Sequence, residues 1–279
     1  MDLLFLSSII RTEEKLLLNA LNSAGLAFST IDVRKKIFDR THESGLNADL
    51  VLNRCISQTQ SLASVRYFES LGLTCVNSSS TIALSGDKQA MTLALQAARI
   101  PTPSTIFALD TKTALQATEQ MGYPVVLKPT TGSWGRLVVK AHDRNAAEAV
   151  LDLREQLTGP QHRLHYIQKF IETGNSDLRA ITLDGRIIAA YRRRSNHWIT
   201  NASRGATGEK ISISTDLEEL CRATSEVAGG GILSIDLFET DQSGLLVNEV
   251  NHTTEFALAT DVTGVNIASE IVNYLKARL

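Results

Sequence analysis

The run Leu233-Ser-Ile-Asp236-Leu-Phe-Glu239, the segment Thr240-Asp241-Gln242-Ser243-Gly244 and the run Leu245-Leu-Val-Asn-Glu249-Val-Asn251 decide how this chain is read. Two apolar, β-branched runs around a polar turn predict an antiparallel hairpin. Residues two apart share a strand face, so Glu249 and Asn251 point the same way. A suitable register brings Asp236 opposite them. Two carboxylates and an amide oxygen then form a hard-oxygen site suited to Mg²⁺, completed only by a further ligand such as a nucleotide phosphate. An ordinary hairpin with its acids facing water is the alternative reading of this stretch alone.

The rest of the chain bears on that choice. Its 279 residues allow one large domain or two to three small ones, and 43% hydrophobic content suffices for real cores. A formal net charge of −2 gives no global argument for nucleic-acid or membrane binding. The N-terminus lacks a basic n-region, and no apolar run approaches the roughly 20 residues of a membrane span. Cys55, Cys75 and Cys221 are odd in number and widely spaced, against both a disulfide framework and a zinc motif. These features predict a soluble cytoplasmic protein with buried, reduced thiols.

Residues 3–8, 27–33, 48–52 and 74–77 read as strands, with helices at 12–24 and 60–71 between them. This alternation predicts a small parallel α/β unit over residues 1–85. It has no Gly-x-Gly-x-x-Gly after its first strand, which argues against a dinucleotide site. Residues 82–98 form one helical stretch carrying Gly86-Asp87-Lys88. Ile100-Pro101-Thr102-Pro103 then marks an extended connector. Residues 86–165 and 166–279 are expected to form two lobes of one catalytic unit.

In the first of those lobes, the strand Val125-Val-Leu-Lys128 runs into Thr130-Thr131-Gly132-Ser133-Trp134-Gly135-Arg136 and then another strand. Backbone amides of such a loop are able to cradle phosphate, although the loop lacks a Walker ending. Residues 166–172 read as a strand, Asp184-Gly185 as a two-residue hairpin turn, and Gly229-Gly230-Gly231 as a flexible break.

In their order along the chain these elements resemble the ATP-grasp superfamily. Lys88, Lys128 before the small-residue loop, Gln168-Lys169-Phe170-Ile171, Asp177-Leu-Arg179, a basic run with an Asn, and Asp236…Glu249-x-Asn251 all appear in sequence. Gly132-Ser-Trp-Gly-Arg136, Tyr166-Ile-Gln168, His197-Trp-Ile-Thr-Asn201 and Leu246-Val-Asn-Glu-Val-Asn-His-Thr253 narrow the resemblance. They point to the RimK-like branch and, within it, to the LysX/ArgX-type ligases of amino-group carrier proteins. The fold so implied is α/β, an ATP-grasp pair of lobes behind a small pre-ATP-grasp domain.

The resemblance implies an enzyme that uses ATP and Mg²⁺ to phosphorylate the γ-carboxyl of the C-terminal Glu of a small acidic LysW-type carrier. The amino group of α-aminoadipate or glutamate then attacks, in lysine- or arginine-type biosynthesis. It also implies a homo-oligomer, a dimer or tetramer. Lys88 and Lys128 neutralise phosphates, a task suited to compact point charges. Gly132, Ser133, Trp134, Gly135 and Arg136 cover the β- and γ-phosphates. Gln168, Lys169, Phe170 and Ile171 line the adenine pocket, with Asp177 near the ribose. Asp236, Glu249 and Asn251 hold the metal. Arg193, Arg194 and Asn201 stabilise phosphoryl transfer. Arg193, His252, Thr253, Glu255, Phe256, Leu258 and Ala259 contact substrate.

At one place the chain departs from the family. An Asn-Ser or Asn-Thr pair follows Glu-Phe-x in α-aminoadipate enzymes, and Gly-Phe stands there in glutamate enzymes. Here Glu255-Phe256 is followed by Ala257-Leu258-Ala259-Thr260, which matches neither. Two other readings are a RimK-like ligase adding glutamate to a different protein or peptide, and a catalytically silent nucleotide-binding module. The complete metal set and both lysines argue against silence.

Overall fold

The computed structural model describes residues 2–41, 48–132, 134–201 and 205–279. The chain opens with β1 (Asp2–Ser7), α1 (Thr12–Ser23), β2 (Ala27–Asp32), β3 (Leu50–Asn53), α2 (Gln58–Ser70) and β4 (Thr74–Val76). Its strands form a parallel sheet in the order β2-β1-β3-β4. β1 and β3 are buried on both faces, as central strands of a parallel sheet are.

The single helix expected over 82–98 is two: α3 (Ser79–Ser85) and α4 (Lys88–Ala97). The Asp87 carboxylate accepts the N–H groups of Gln89 and Ala90, starting a new helix. This restart places Lys88 in the first turn of α4, where its side chain swings toward the loop at 130–136.

The second sheet comprises β5 (Thr105–Ala108), β6 (Val125–Lys128), β7 (Val139–Ala141) and β8 (His165–Lys169), in the order β5-β8-β6-β7. Helices α5 (Thr111–Met121) and α6 (Arg144–Glu155) support it. β8 pairs with β5 and β6, so this sheet extends to residue 169. The segment at 166–169, read from sequence as the start of the C-terminal lobe, completes the central one instead.

The third sheet is antiparallel, ordered β11-β10-β9-β12-β13. It comprises β9 (Ser176–Leu183), β10 (Arg186–Arg194), β11 (Thr207–Lys210), β12 (Ile232–Thr240) and β13 (Gly244–Asn251). Helices α7 (Thr215–Ala228), α8 (Ala257–Thr263) and α9 (Ile267–Lys276) complete the chain. Asp184 and Gly185 have φ of 47° and 86°, the left-handed pair that a tight hairpin turn requires.

The Gly229–Gly231 run, expected as a flexible break, is a closely packed junction. All three residues have φ between 73° and 93°. A Cβ on Gly231 would sit 2.1 Å from the Asn77 Oδ1. Asn77 uses that oxygen to accept the Ile232 N–H, and its Nδ2 donates to the Ile232 and His252 carbonyls. One core cluster runs from Leu3, Phe5, Leu17 and Leu21 into Ile181, Tyr191, Phe256 and Ile271. The N-terminal unit and the third sheet thus share a core, and their relative placement is fixed. Among the described residues no helix is long and apolar enough to cross a membrane. The three cysteines are buried and free.

Candidate active site

β12 and β13 pair antiparallel with Asp236 opposite Glu249 and Ser234 opposite Asn251. A bulge after Asp236 shifts the register, re-aiming the strand next to the site. Asp236 is buried and receives Arg179 bidentately, Nε to Oδ1 at 2.7 Å and Nη2 to Oδ2 at 2.8 Å. Arg193 Nη2 lies 3.1 Å from the same Oδ2. Burial works to raise the Asp236 pKa, but the two guanidiniums prevail and hold it at about 2. Glu249 pairs with Lys88 at 3.0 Å. The Asn251 side-chain nitrogen is buried without a partner. Asp236, Glu249 and Asn251 line one cavity, and their side-chain oxygens are the donor type that a hard divalent cation takes.

A cleft with about 880 Å³ of open space lies between the second and third sheets. Lys128, the last residue of β6, is 7% exposed and donates to Asn248 Oδ1 at 2.9 Å. Lys88 Nζ donates to the Gly132 carbonyl at 2.8 Å, tying α4 to the loop. Gly132 and Gly135 have φ of 130° and 64°, and Trp134 between them has φ of 61°. Ser133 lies outside the described residues. Arg154 on α6 is buried and fastens both ends of this loop, Nη2 to the Leu137 carbonyl at 2.6 Å and Nη1 to the Lys128 carbonyl at 3.4 Å. Arg136 stacks its guanidinium 4.9 Å from the Trp134 ring centroid.

Burial lowers the Lys128 pKa to about 8, only partly offset by Glu249. Its folded value is below the ordinary lysine range, so the folded protein loses this charge first as pH rises. Nucleotide capture is expected to weaken above pH about 8, appearing as a descending limb in kcat/KM for ATP. Lys128→Arg is expected to move that limb to higher pH, and an unmoved limb would assign it to another group.

Gln168, Lys169, Phe170 and Ile171 line the same cleft. The Lys169 ammonium is turned away, donating to the Gly122 carbonyl at the end of α5 at 2.9 Å. Phe170 meets Trp198 edge-on at 6.0 Å, and Lys140 Nζ sits 4.1 Å from the Phe170 centroid. Nothing local in the His197-Trp198 segment signals this cross-lobe cluster.

Strand alternation sorts the arginines of β10. Arg193 points inward, 2% exposed, with Nε on Asp177 Oδ1 at 2.7 Å and an unpartnered Nη1. Arg194 points outward to Glu209 at 2.7 Å and lines neither cavity. The catalytic expectation for Arg194 is therefore corrected: a strand shows one face to the site. Asp177, expected near a ribose, is buried and committed to Arg193. Burial raises its pKa against the Arg193 charge. Asn201 lines the cavity beside Gly135, whose ideal Cβ would sit 3.6 Å from its Oδ1.

A second cavity, about 1660 Å³ of open space, lies between the N-terminal unit and the third sheet. Arg11, Arg34, Ser57 and Gln58 line one wall, and His252, Thr253 and Glu255 the other. Burial, with Arg54 nearby, lowers the His252 pKa to about 4, so its imidazole is neutral at physiological pH.

Phe256, Leu258 and Ala259 do not line this cavity. α8 turns Phe256 and Ala259 into the shared core, both fully buried, with Leu258 packed against it. The expected substrate contacts of all three are corrected on that ground. Replacing Leu258-Ala259 with Asn-Ser is expected to leave the amino-acid preference unchanged and to destabilise the fold by about 1–3 kcal/mol through buried polar groups. Urea unfolding alongside substrate competition checks both halves.

Two sheets clasping a phosphate-ready cleft, behind a small parallel α/β unit, define the ATP-grasp fold. Residues 85–275 match the RimK-like ATP-grasp domain, and residues 3–84 match the LysX preATP-grasp domain. The chain belongs to the RimK-like ATP-grasp family. It is 32% identical to a glutamate–LysW ligase ArgX of Sulfolobus acidocaldarius, over 96% of this chain and 95% of that one. It is also 32% identical to an α-aminoadipate–LysW ligase LysX of Saccharolobus solfataricus, over 92% and 94%. A crystal structure of a RimK-domain ATP-grasp protein from Sphaerobacter thermophilus aligns with a TM-score of 0.82 at 26% identity, covering 98% of this chain and 99% of that one.

Proposed function

We propose that this chain is an ATP-dependent carboxylate–amine ligase joining the C-terminal Glu γ-carboxyl of a LysW-type carrier to the α-amino group of α-aminoadipate or glutamate. The observation that carries the reading is the meeting of the two cavities. Lys88, Gly132, Trp134, Arg193, Asn201, Asp236 and Glu249 line both of them. A nucleotide in the first cavity and an acceptor carboxylate in the second would present their reacting ends to this one group of side chains.

Lys88 and Lys128 face the phosphates, and the loop from Gly132 to Arg136 excludes water from them. Asp236, Glu249 and Asn251 would hold Mg²⁺, which would supply counter-charge to the phosphates during transfer. The acceptor carboxylate oxygen attacks the γ-phosphorus, and ADP leaves. The amine then attacks the acyl carbon, phosphate departs and the ammonium-derived proton goes to solvent or phosphate. Arg193, whose Nη1 has no partner, would stabilise the transferring phosphoryl group and the later oxyanion.

Oxygen labelling tests the chemistry. With ¹⁸O in the acceptor carboxylate, one labelled atom is expected in the released phosphate, alongside ADP. Unlabelled phosphate, or AMP and pyrophosphate as products, would contradict it.

A further inference from the structure

The loop over the phosphate end of the nucleotide cleft is fastened from the other cavity. Trp134 Nε1 donates to Glu255 Oε1 at 3.1 Å, and Arg11 Nη1 donates to the same oxygen at 2.9 Å. Arg11 belongs to the N-terminal unit, Trp134 to the central lobe and Glu255 to the C-terminal segment after β13. Three parts of the chain thus meet on one carboxylate oxygen.

Arg11 is itself held rigidly. Its Nε and Nη2 donate to the two Glu14 carboxylate oxygens at 3.0 and 3.1 Å. Glu14 is fully buried and takes a second guanidinium, Arg54, whose Nη2 also reaches the Thr254 carbonyl at 3.0 Å. The chain of contacts from Arg54 through Glu14 and Arg11 to Glu255 is therefore anchored in the core. At its far end Trp134 holds φ of 61°, a backbone region costly for an aromatic residue unless its surroundings impose it. The Glu255 bond is one of the contacts that hold the residue there.

We propose that Arg11 is a positioning residue for nucleotide binding, acting through Glu255 to hold Trp134 and its loop closed over the phosphates. Arg11 lines only the second cavity, so it acts on the nucleotide without touching it. A consequence is reciprocal coupling: an acceptor or amine that engages Arg11 or Glu255 changes nucleotide affinity, and nucleotide changes theirs by the same factor. The inference rests on the first cavity being the nucleotide site and not on the identity of the carrier or amine.

Calorimetric titration with Mg²⁺ and a nonhydrolysable ATP analogue tests it without any ligation step. Arg11→Met and Trp134→Phe are each expected to weaken binding about tenfold, as loss of a charge-assisted contact chain does. Arg11→Lys is expected to recover part of the loss. The double variant Arg11→Met/Trp134→Phe is expected to bind no more weakly than the worse single one, since both break one chain. Wild-type affinity in Arg11→Met, or losses that multiply in the double variant, would overturn the proposal. Should Arg11→Met not fold, the cycle of Arg11→Lys with Trp134→Phe decides the same question, multiplied losses again counting against it. Failure of the analogue to bind the wild-type protein would instead refute the nucleotide assignment beneath it.

Discussion

Arg193→Lys is expected to lower ligation kcat/KM by about 10²- to 10³-fold while the protein stays folded. The guanidinium grips the Asp177 carboxylate through Nε and Nη2, shares Nη2 with Asp236, and leaves Nη1 buried without a partner in a residue that lines both cavities. An ammonium retains the charge but is unable to span two carboxylates and still present a third donor. Arg193→Met should behave differently. It strips the partner from Asp177, which is buried, and is expected to cost about 3–5 kcal/mol of stability. Steady-state kinetics with urea unfolding on both variants separates the two effects. A fully active lysine variant would remove Arg193 from the chemistry.

Glu249→Gln is the complementary test on the metal side. The side chain is partly exposed, so the neutral isostere should leave stability close to wild type. It removes one of the two carboxylates of the proposed donor set and the counter-charge of Lys88. Turnover is expected to fall at least about 100-fold, with the Mg²⁺ concentration for half-maximal rate displaced upward. Magnesium titration of ADP release measures both. An unchanged magnesium dependence would show that the ion is held elsewhere.

Two features with a strict geometric period are legible in the sequence. Asp236, Glu249 and Asn251 were placed by strand alternation and a recognisable turn, and the observed register sets Asp236 against Glu249. The Asp184-Gly185 turn was legible because that dipeptide readily takes the left-handed pair of angles. The same alternation, followed along β10, would have separated Arg193 from Arg194, whose side chains face opposite sides.

Other features depended on contacts distant in sequence. Nothing in Tyr166-Ile-Gln-Lys169 announces that β5 and β6 flank it, so its sheet is not legible locally. Leu258 and Ala259 took their role from alignment with a motif, but the helix they form turns them to the core. The Gly229–Gly231 run looked mobile because glycine composition does not reveal Asn77 packed against it. Arg11 carried no local signal at all. Its meaning appears only when Glu255, 244 residues away, closes the bridge to Trp134.

The most direct test of the central claim is the intact mass of a purified LysW-type carrier after incubation with the enzyme, Mg-ATP and either glutamate or α-aminoadipate. The account predicts a gain of one amino-acid residue on the carrier, matched by one ADP released, and abolished when the carrier lacks its C-terminal Glu. ADP release with no change in carrier mass under any pairing would contradict it.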